Sequence, residues 1–156
     1  MAPSSHKDTL SKLAEIFDKQ GIRAGVMYLN SLSRHRFTSL YRFDHETLRN
    51  LYFFDREKTT VESSDAIPVI SSYCVYVRDS GKCFSTDNSL TDVRVQTHPK
   101  RLVIQAYCGV PLVDRDGNMF GTVCHFDVKP VSTDPAQLEL LEKVADLLRH
   151  RVTRGA

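Results

Sequence analysis

Little in this sequence points to a membrane, a nucleic acid or a metal. No apolar run approaches the ~18 residues that read as a transmembrane helix. The opening stretch MAPSSHKDTL has no apolar core of signal-peptide type. The expectation is a cytoplasmic protein. A formal net charge of +2 is too small to imply a nucleic-acid partner. The two basic clusters, SRHRF (33–37) and LLRHRVTR (147–154), read as solvated segments, the second at a helix end where cations complement the macrodipole. The four cysteines are Cys74, Cys83, Cys108 and Cys124. No two are spaced C-x-x-C, which removes the zinc-ribbon and thioredoxin motifs, and in a cytosolic chain reduced thiols are the default. There is no internal repeat and no low-complexity tract.

What is present suits one folded domain. The chain has 156 residues, 41% apolar and 26% charged. At this length a domain buries about 70% of the surface its unfolded chain exposes, so neither metal nor disulfide is required for stability.

Ser5 and Asp8 fit a capping box, followed by Leu10, Leu13, Ile16 and Phe17 at helical spacing, with Gly21 as the stop. A second helix is predicted over 23–33, with Val26, Leu29 and Leu32 on one side. Residues 36–43 read as a strand with Phe37, Tyr41 and Phe43 on one face, and 48–55 as its hairpin partner. REKTTVESSDAIP reads as loop. By pattern 69–81 reads as strand or helix; the spacing of Val69, Tyr73, Tyr76 and Val77, closed by Gly81, favours a helix. KCFSTD reads as a short strand, and NSLTDVRVQTHPKRL as irregular.

The stretch AYCGVPLVDRDGNMFGTVCHFD (106–127) reads as two apolar strands around a turn in which Asp116-Gly117 supplies positive φ. Asp134 and Pro135 then open a closing helix reaching Val152, with Leu138, Leu141, Val144, Leu148 and Val152 as its apolar stripe. Mostly antiparallel strands with helices gathered toward the chain ends make an α+β domain. The terminal helices are expected on one face of the sheet, and the interior helix with its loops on the other.

Two segments carry a family resemblance: YCVYVRDSGKCFSTDNSLTDVR, and then YCGVPLVDRDGNMFGTVCHFDVKP. In that order they resemble the GAF domains, PAS-like modules of signalling proteins, in the branch found upstream of histidine kinases and diguanylate cyclases. The likeness spans about Ala24 to Val152. It divides the chain into an N-terminal helix (1–21) and a GAF domain (22–156) that includes a closing helix (134–152). It implies a six-stranded antiparallel sheet with a ligand cavity between sheet and cover, and dimerisation through the terminal helices. It also implies a stand-alone sensor or a piece of a longer signalling chain, with a downstream signalling protein as possible partner. Neither ligand nor cofactor is identified.

The ligand-binding candidates are Tyr73, Cys74, Asp87, Asp92, Arg94, Tyr107 and His125. Tyr73 and Tyr107 offer polar tips from buried rings, as against plain core packing. Asp87, Asp92 and Arg94 either organise the cover loop or border the pocket, and the resemblance favours the pocket rim. Strand alternation gives Val123 and His125 one face and Thr122, Cys124 and Phe126 the other, so Cys124 and His125 cannot both face the cavity. His125 is either a hydrogen-bonded core histidine or a cavity group for an anion, a carbonyl or haem iron, with His98 as a second polar wall residue. The hairpin also allows Cys108 to approach Cys124. The Cys124-His125 pair is similar to the chromophore-attaching pair of phytochromes but lies in a different segment.

The preferred expectation is a binding module, not an enzyme. Three alternatives stand beside it. Some small GAF proteins reduce free methionine-(R)-sulfoxide, which here would engage Cys74, Cys83 and Cys108, although the third cysteine and the glycine-rich segment depart from that pattern. The others are a haem or redox sensor and a ligand-free dimerisation module.

Overall fold

The computed structural model describes residues 3–152. Helix α1 (Pro3–Gln20) starts before the predicted cap Ser5, whose side chain lies outside the described residues. Gly21 separates it from α2 (Ile22–Ser31), which buries Val26 and Leu29, while Leu32 becomes the C-cap and is largely exposed. Strands β1 (Phe37–Asp44) and β2 (Thr47–Asp55) form the first hairpin.

Two details were not anticipated. Ile67–Pro68 forms a two-residue strand, β3, against Leu48 and Thr47 of β2. The predicted helix over 69–81 is also broken. A 3-10 turn covers Val69–Ser71, Ser72 is extended (φ −127°, ψ 152°), and the α-helix α3 occupies only Cys74–Ser80, ending at Gly81. The extended Ser72 breaks the helical register and aims Val69 and Tyr73 into one cluster from two short elements.

Strand β4 (Phe84–Thr86), the β5–β6 hairpin (Ala106–Val113, Met119–Asp127) and α4 (Pro135–Leu148) follow. In the hairpin turn Gly117 takes φ +85°, the left-handed conformation the sequence required there. The Asp134 side chain accepts from the Gln137 N–H at 2.8 Å and caps α4 as expected. The helix stops at Leu148 instead of Val152, but Val152 is still buried.

All strand pairs are antiparallel, in the order β3-β2-β1-β6-β5-β4. One face packs against α2 and α4, with α1 lying on both helices. Leu40, Val110, Leu112, Val123, Leu141, Val144 and Leu148 meet there with Leu13, Val26 and Leu29. Each such burial removes a branched side chain from water and contributes roughly 1.5–3 kcal/mol. The opposite face carries Tyr41, Leu48, Tyr107 and Cys124 beneath α3 and the following irregular segment. Among the described residues no helix is long and apolar enough to cross a membrane.

Candidate functional site

Between the sheet and its cover lies a chamber of about 260 Å³. Phe37, Tyr41, Phe53, Tyr107, Cys124 and Phe126 form its floor, projected from alternate positions of four strands. Its roof and walls come from the loop before β3 (Ser64, Asp65), from Ser71–Tyr73, and from Lys100, Val103 and Ile104. The walls are mostly apolar, and among the described residues neither Lys100 nor Asp65 has an ion-pair partner.

Of the candidates, Tyr73, Cys74 and Tyr107 come together at the chamber side of the sheet. The Tyr73 hydroxyl donates to the Ile104 carbonyl at 2.8 Å, tying α3's leading edge to the far end of the cover. The Tyr107 hydroxyl donates to Cys74 Sγ at 3.2 Å, and Thr122 Oγ1 lies 3.3 Å from the same sulfur. Tyr107 can lie across the sheet because residue 109 is glycine; a Cβ there would collide with the tyrosine ring and hydroxyl. Burial opposes ionisation of Cys74, but the hydroxyls of Ser72, Thr122 and Tyr107 and the neighbouring Cys124 outweigh it and hold the thiol below its ordinary value. Cys124 is pushed well up, first by burial and then by Cys74 itself.

The other candidates lie elsewhere. His125 faces the helix layer, opposite the chamber, because it shares parity with Val123 in β6. There it is a hydrogen-bonded core histidine. Asn30 Nδ2 donates to Thr38 Oγ1 at 2.8 Å, and the same hydroxyl shares a 2.6 Å hydrogen bond with His125 Nδ1. The His35 ring stacks on His125 with centroids 5.8 Å apart, and neither of its nitrogens has a partner among the described residues. Burial lowers His35 to about 4 and His125 to about 3.

Asp87, Asp92 and Arg94 line a separate open groove beside β4, not the chamber rim. Arg94 donates to both Asp92 oxygens at 3.0 and 2.6 Å and to the Ser85 carbonyl at 2.6 Å. That guanidinium holds the Asp92 carboxyl well below the usual carboxylate range. Asp87 accepts from the Thr133 N–H at 3.0 Å and fastens the approach to α4. These three residues organise loops. His98 braces the cover: its ring packs 4.5 Å from Tyr73, and its Nδ1 accepts from the Lys100 N–H at 3.0 Å.

The cysteines divide between the faces. Cys108 stands opposite His125 and is buried in the helix-side core, where burial pushes its thiol up to about 11. Cys83 packs on that same core. Cys108 therefore does not approach Cys124, whose cross-strand neighbour is Gly109. The thiols that share the cover-side cluster are Cys74 and Cys124. Sequence reasoning named both residues but missed this grouping, along with Lys100 and Asp65. Strand parity alone groups Cys124 with Tyr107; no local signal places α3 above them. Among the described residues no group of three or more His, Cys, Asp or Glu side chains is gathered for a metal.

A model of the GAF domain family matches residues 9–152. No curated protein matches the chain. Several solved structures share its fold. The GAF domain of an Acinetobacter phosphoenolpyruvate-protein phosphotransferase is similar over 97% of this chain and 94% of its own, at 13% identity and a TM-score of 0.75. The free methionine-R-sulfoxide reductase of Neisseria meningitidis, solved with its substrate, is similar over 94% and 87% of the two chains, at 14% identity and TM-score 0.74. The phycoerythrobilin-bound GAF domain of a cyanobacterial phytochrome is similar over 96% and 95%, at 12% identity and TM-score 0.74. At these identities the likeness is one of fold.

Proposed function

This chain belongs to the GAF domain family, and from that premise we propose that it is a sensory or regulatory module which binds a compact small molecule between sheet and cover. The observation that carries the reading is the chamber: about 260 Å³, aromatic-floored, with Lys100 and Asp65 unpaired on its walls. Ligand sites are mostly apolar with a few placed polar groups, typically ~300–1,000 Å³. This one lies just below that range, which favours a compact metabolite with an apolar body and a charged head over a tetrapyrrole. The histidines considered for haem, His98 and His125, are absent from its lining.

Binding acts by population shift: a ligand gripping 71–104 favours one arrangement of the cover and biases the helices at the chain ends. Dimerisation through those helices, and a downstream signalling protein that reads the bias, belong to the same proposal.

Native mass spectrometry of freshly purified protein tests it, followed by thermal melting against a metabolite panel. The expected result is a bound small mass or a ligand-dependent melting shift, weakened roughly tenfold or more in affinity by Lys100→Ala through loss of a charged hydrogen bond. Protein that carries nothing and responds to nothing overturns the reading.

A second reading has specific support. Three neighbours are free methionine-R-sulfoxide reductases, and Cys74 sits beside the chamber. Against it, Cys83 and Cys108 lie on the other side of the sheet. Incubation with free methionine-(R)-sulfoxide and a dithiol reductant decides: methionine formed at a catalytic rate replaces the binding-module reading with the enzyme.

A further inference from the structure

The geometry points to Cys74 and Cys124 as a dithiol switch, oxidised to a disulfide by a small hydroperoxide that enters through the chamber. The two thiols belong to one buried cluster across the boundary between cover and sheet, one opening α3 and the other in mid-β6, where α3 packs on that strand. Both are fully buried from bulk water, yet Cys124 forms part of the chamber floor, and Ser72 and Tyr73, flanking Cys74, form its wall. The route to the pair is therefore the cavity.

The surroundings of Cys74 exceed what a packing thiol needs. A buried cysteine ordinarily behaves as a small hydrophobe. Here its sulfur has the Tyr107 hydroxyl at 3.2 Å and the Thr122 hydroxyl at 3.3 Å. Donors aimed at sulfur favour the thiolate, which is the reactive form. These two hydroxyl contacts make Cys74 the attacking thiol and Cys124 the resolving one. The other two cysteines face the opposite side of the sheet and take no part.

The chemistry balances with the hydroperoxide as oxidant. The Cys74 thiolate attacks one peroxide oxygen and the O–O bond breaks. The leaving alkoxide or hydroxide takes up a proton and departs as alcohol or water. Cys74 is then a sulfenic acid. The Cys124 sulfur attacks the Cys74 sulfur, the S–O bond breaks, and the hydroxyl leaves as water with the Cys124 proton. Two electrons pass from the two sulfurs to the peroxide. The product pins α3 to β6 across the chamber, so oxidation would fix the cover whether or not a metabolite is bound. A small dithiol reverses it.

The full chain, treated with a few equivalents of hydrogen peroxide at neutral pH, alkylated and mapped by mass spectrometry, tests the proposal. The expected result is a Cys74–Cys124 disulfide, with Cys83 and Cys108 alkylated, and loss of the bond on dithiothreitol treatment. In Cys124→Ser, dimedone should trap a sulfenic acid at Cys74; in Cys74→Ser, Cys124 should stay reduced. Alkylation of both Cys74 and Cys124 after peroxide, or a disulfide that uses Cys83 or Cys108, overturns it. The wild-type map decides alone if a serine variant fails to fold.

Discussion

The helix face and the cover face of this sheet are built from the same strands and packed in opposite ways. On the helix face, α2 and α4 close over Leu40, Val110, Leu112 and Val123, and the void beside His125 is about 10 Å³, too small for a ligand. On the cover face, short elements and loops close over the floor incompletely and leave about 260 Å³. Long helices present continuous apolar ridges and fill the space between layers. A two-residue strand, a 3-10 turn and a seven-residue helix cannot. The stability of the domain therefore resides mainly on one side and its binding capacity on the other. In β6 the alternation of side chains assigns each residue to one job or the other.

The sharpest way to break this comparison is a pair of truncations. Leu40→Ala on the helix face should cost about 2–5 kcal/mol, because Leu40 is fully buried and the cavity left behind cannot collapse. Val103→Ala at the chamber wall, where Val103 is 55% exposed, should stay within about 0.5 kcal/mol. Urea unfolding with unchanged m-values measures both. Similar losses at the two sites would refute the division.

Acid sharpens it next. His35 and His125 are held neutral in the fold at about 4 and about 3, against 6.5 in the unfolded chain. The unfolded state binds more protons below 6.5, so stability is complete above that pH and falls as pH drops toward the folded values. The slope is about 1.4 kcal/mol per pH unit for each imidazole. Burial dominates both shifts; Asp127 and Asp87 oppose it at His35, and Arg56 reinforces it at both rings. His35→Phe keeps a stacked ring without a titrating nitrogen and should roughly halve the slope between pH 6.5 and 5. An unchanged slope would mean that the helix-side pair does not govern acid sensitivity.

The parts of this division that the sequence made legible are those with strong local signals. The β5–β6 hairpin was readable from two alternating apolar runs around Asp116-Gly117, and α4 from Asp134-Pro135 and its stripe. Strand alternation correctly separated Cys124 from His125, but it cannot say which face carries the chamber; packing of distant helices decides that. β3 was invisible because a two-residue strand has no periodicity and exists only through pairing with β2. The break at Ser72 was hidden because residues on both sides of it feed the same cluster, mimicking one helix. Asp92 and Arg94 looked like ligand groups but satisfy each other, which spacing alone could not distinguish. The approach of Cys74 to Cys124 spans 50 residues of sequence, and no local pattern encodes it.

The smallest predicted effect isolates the polar side of the comparison. Tyr107→Phe removes one hydroxyl, keeps the ring over Gly109 and leaves the chamber's shape intact. The lost hydrogen bond to Cys74 should cost about 1 kcal/mol of stability, the usual net value for a buried pair. The more telling readout is the thiol. With the hydroxyl gone, burial meets less opposition at Cys74, so its titration, followed by thiolate absorbance in a variant lacking Cys83, should move up. Tyr107 belongs to the cover-side cluster and Cys83 to the helix-side one, so a purely structural role predicts the stability loss with no change in titration. A shift in both assigns Tyr107 to tuning the cover-side sulfur. A shift in neither shows that the cover face, like the helix face, is only packed.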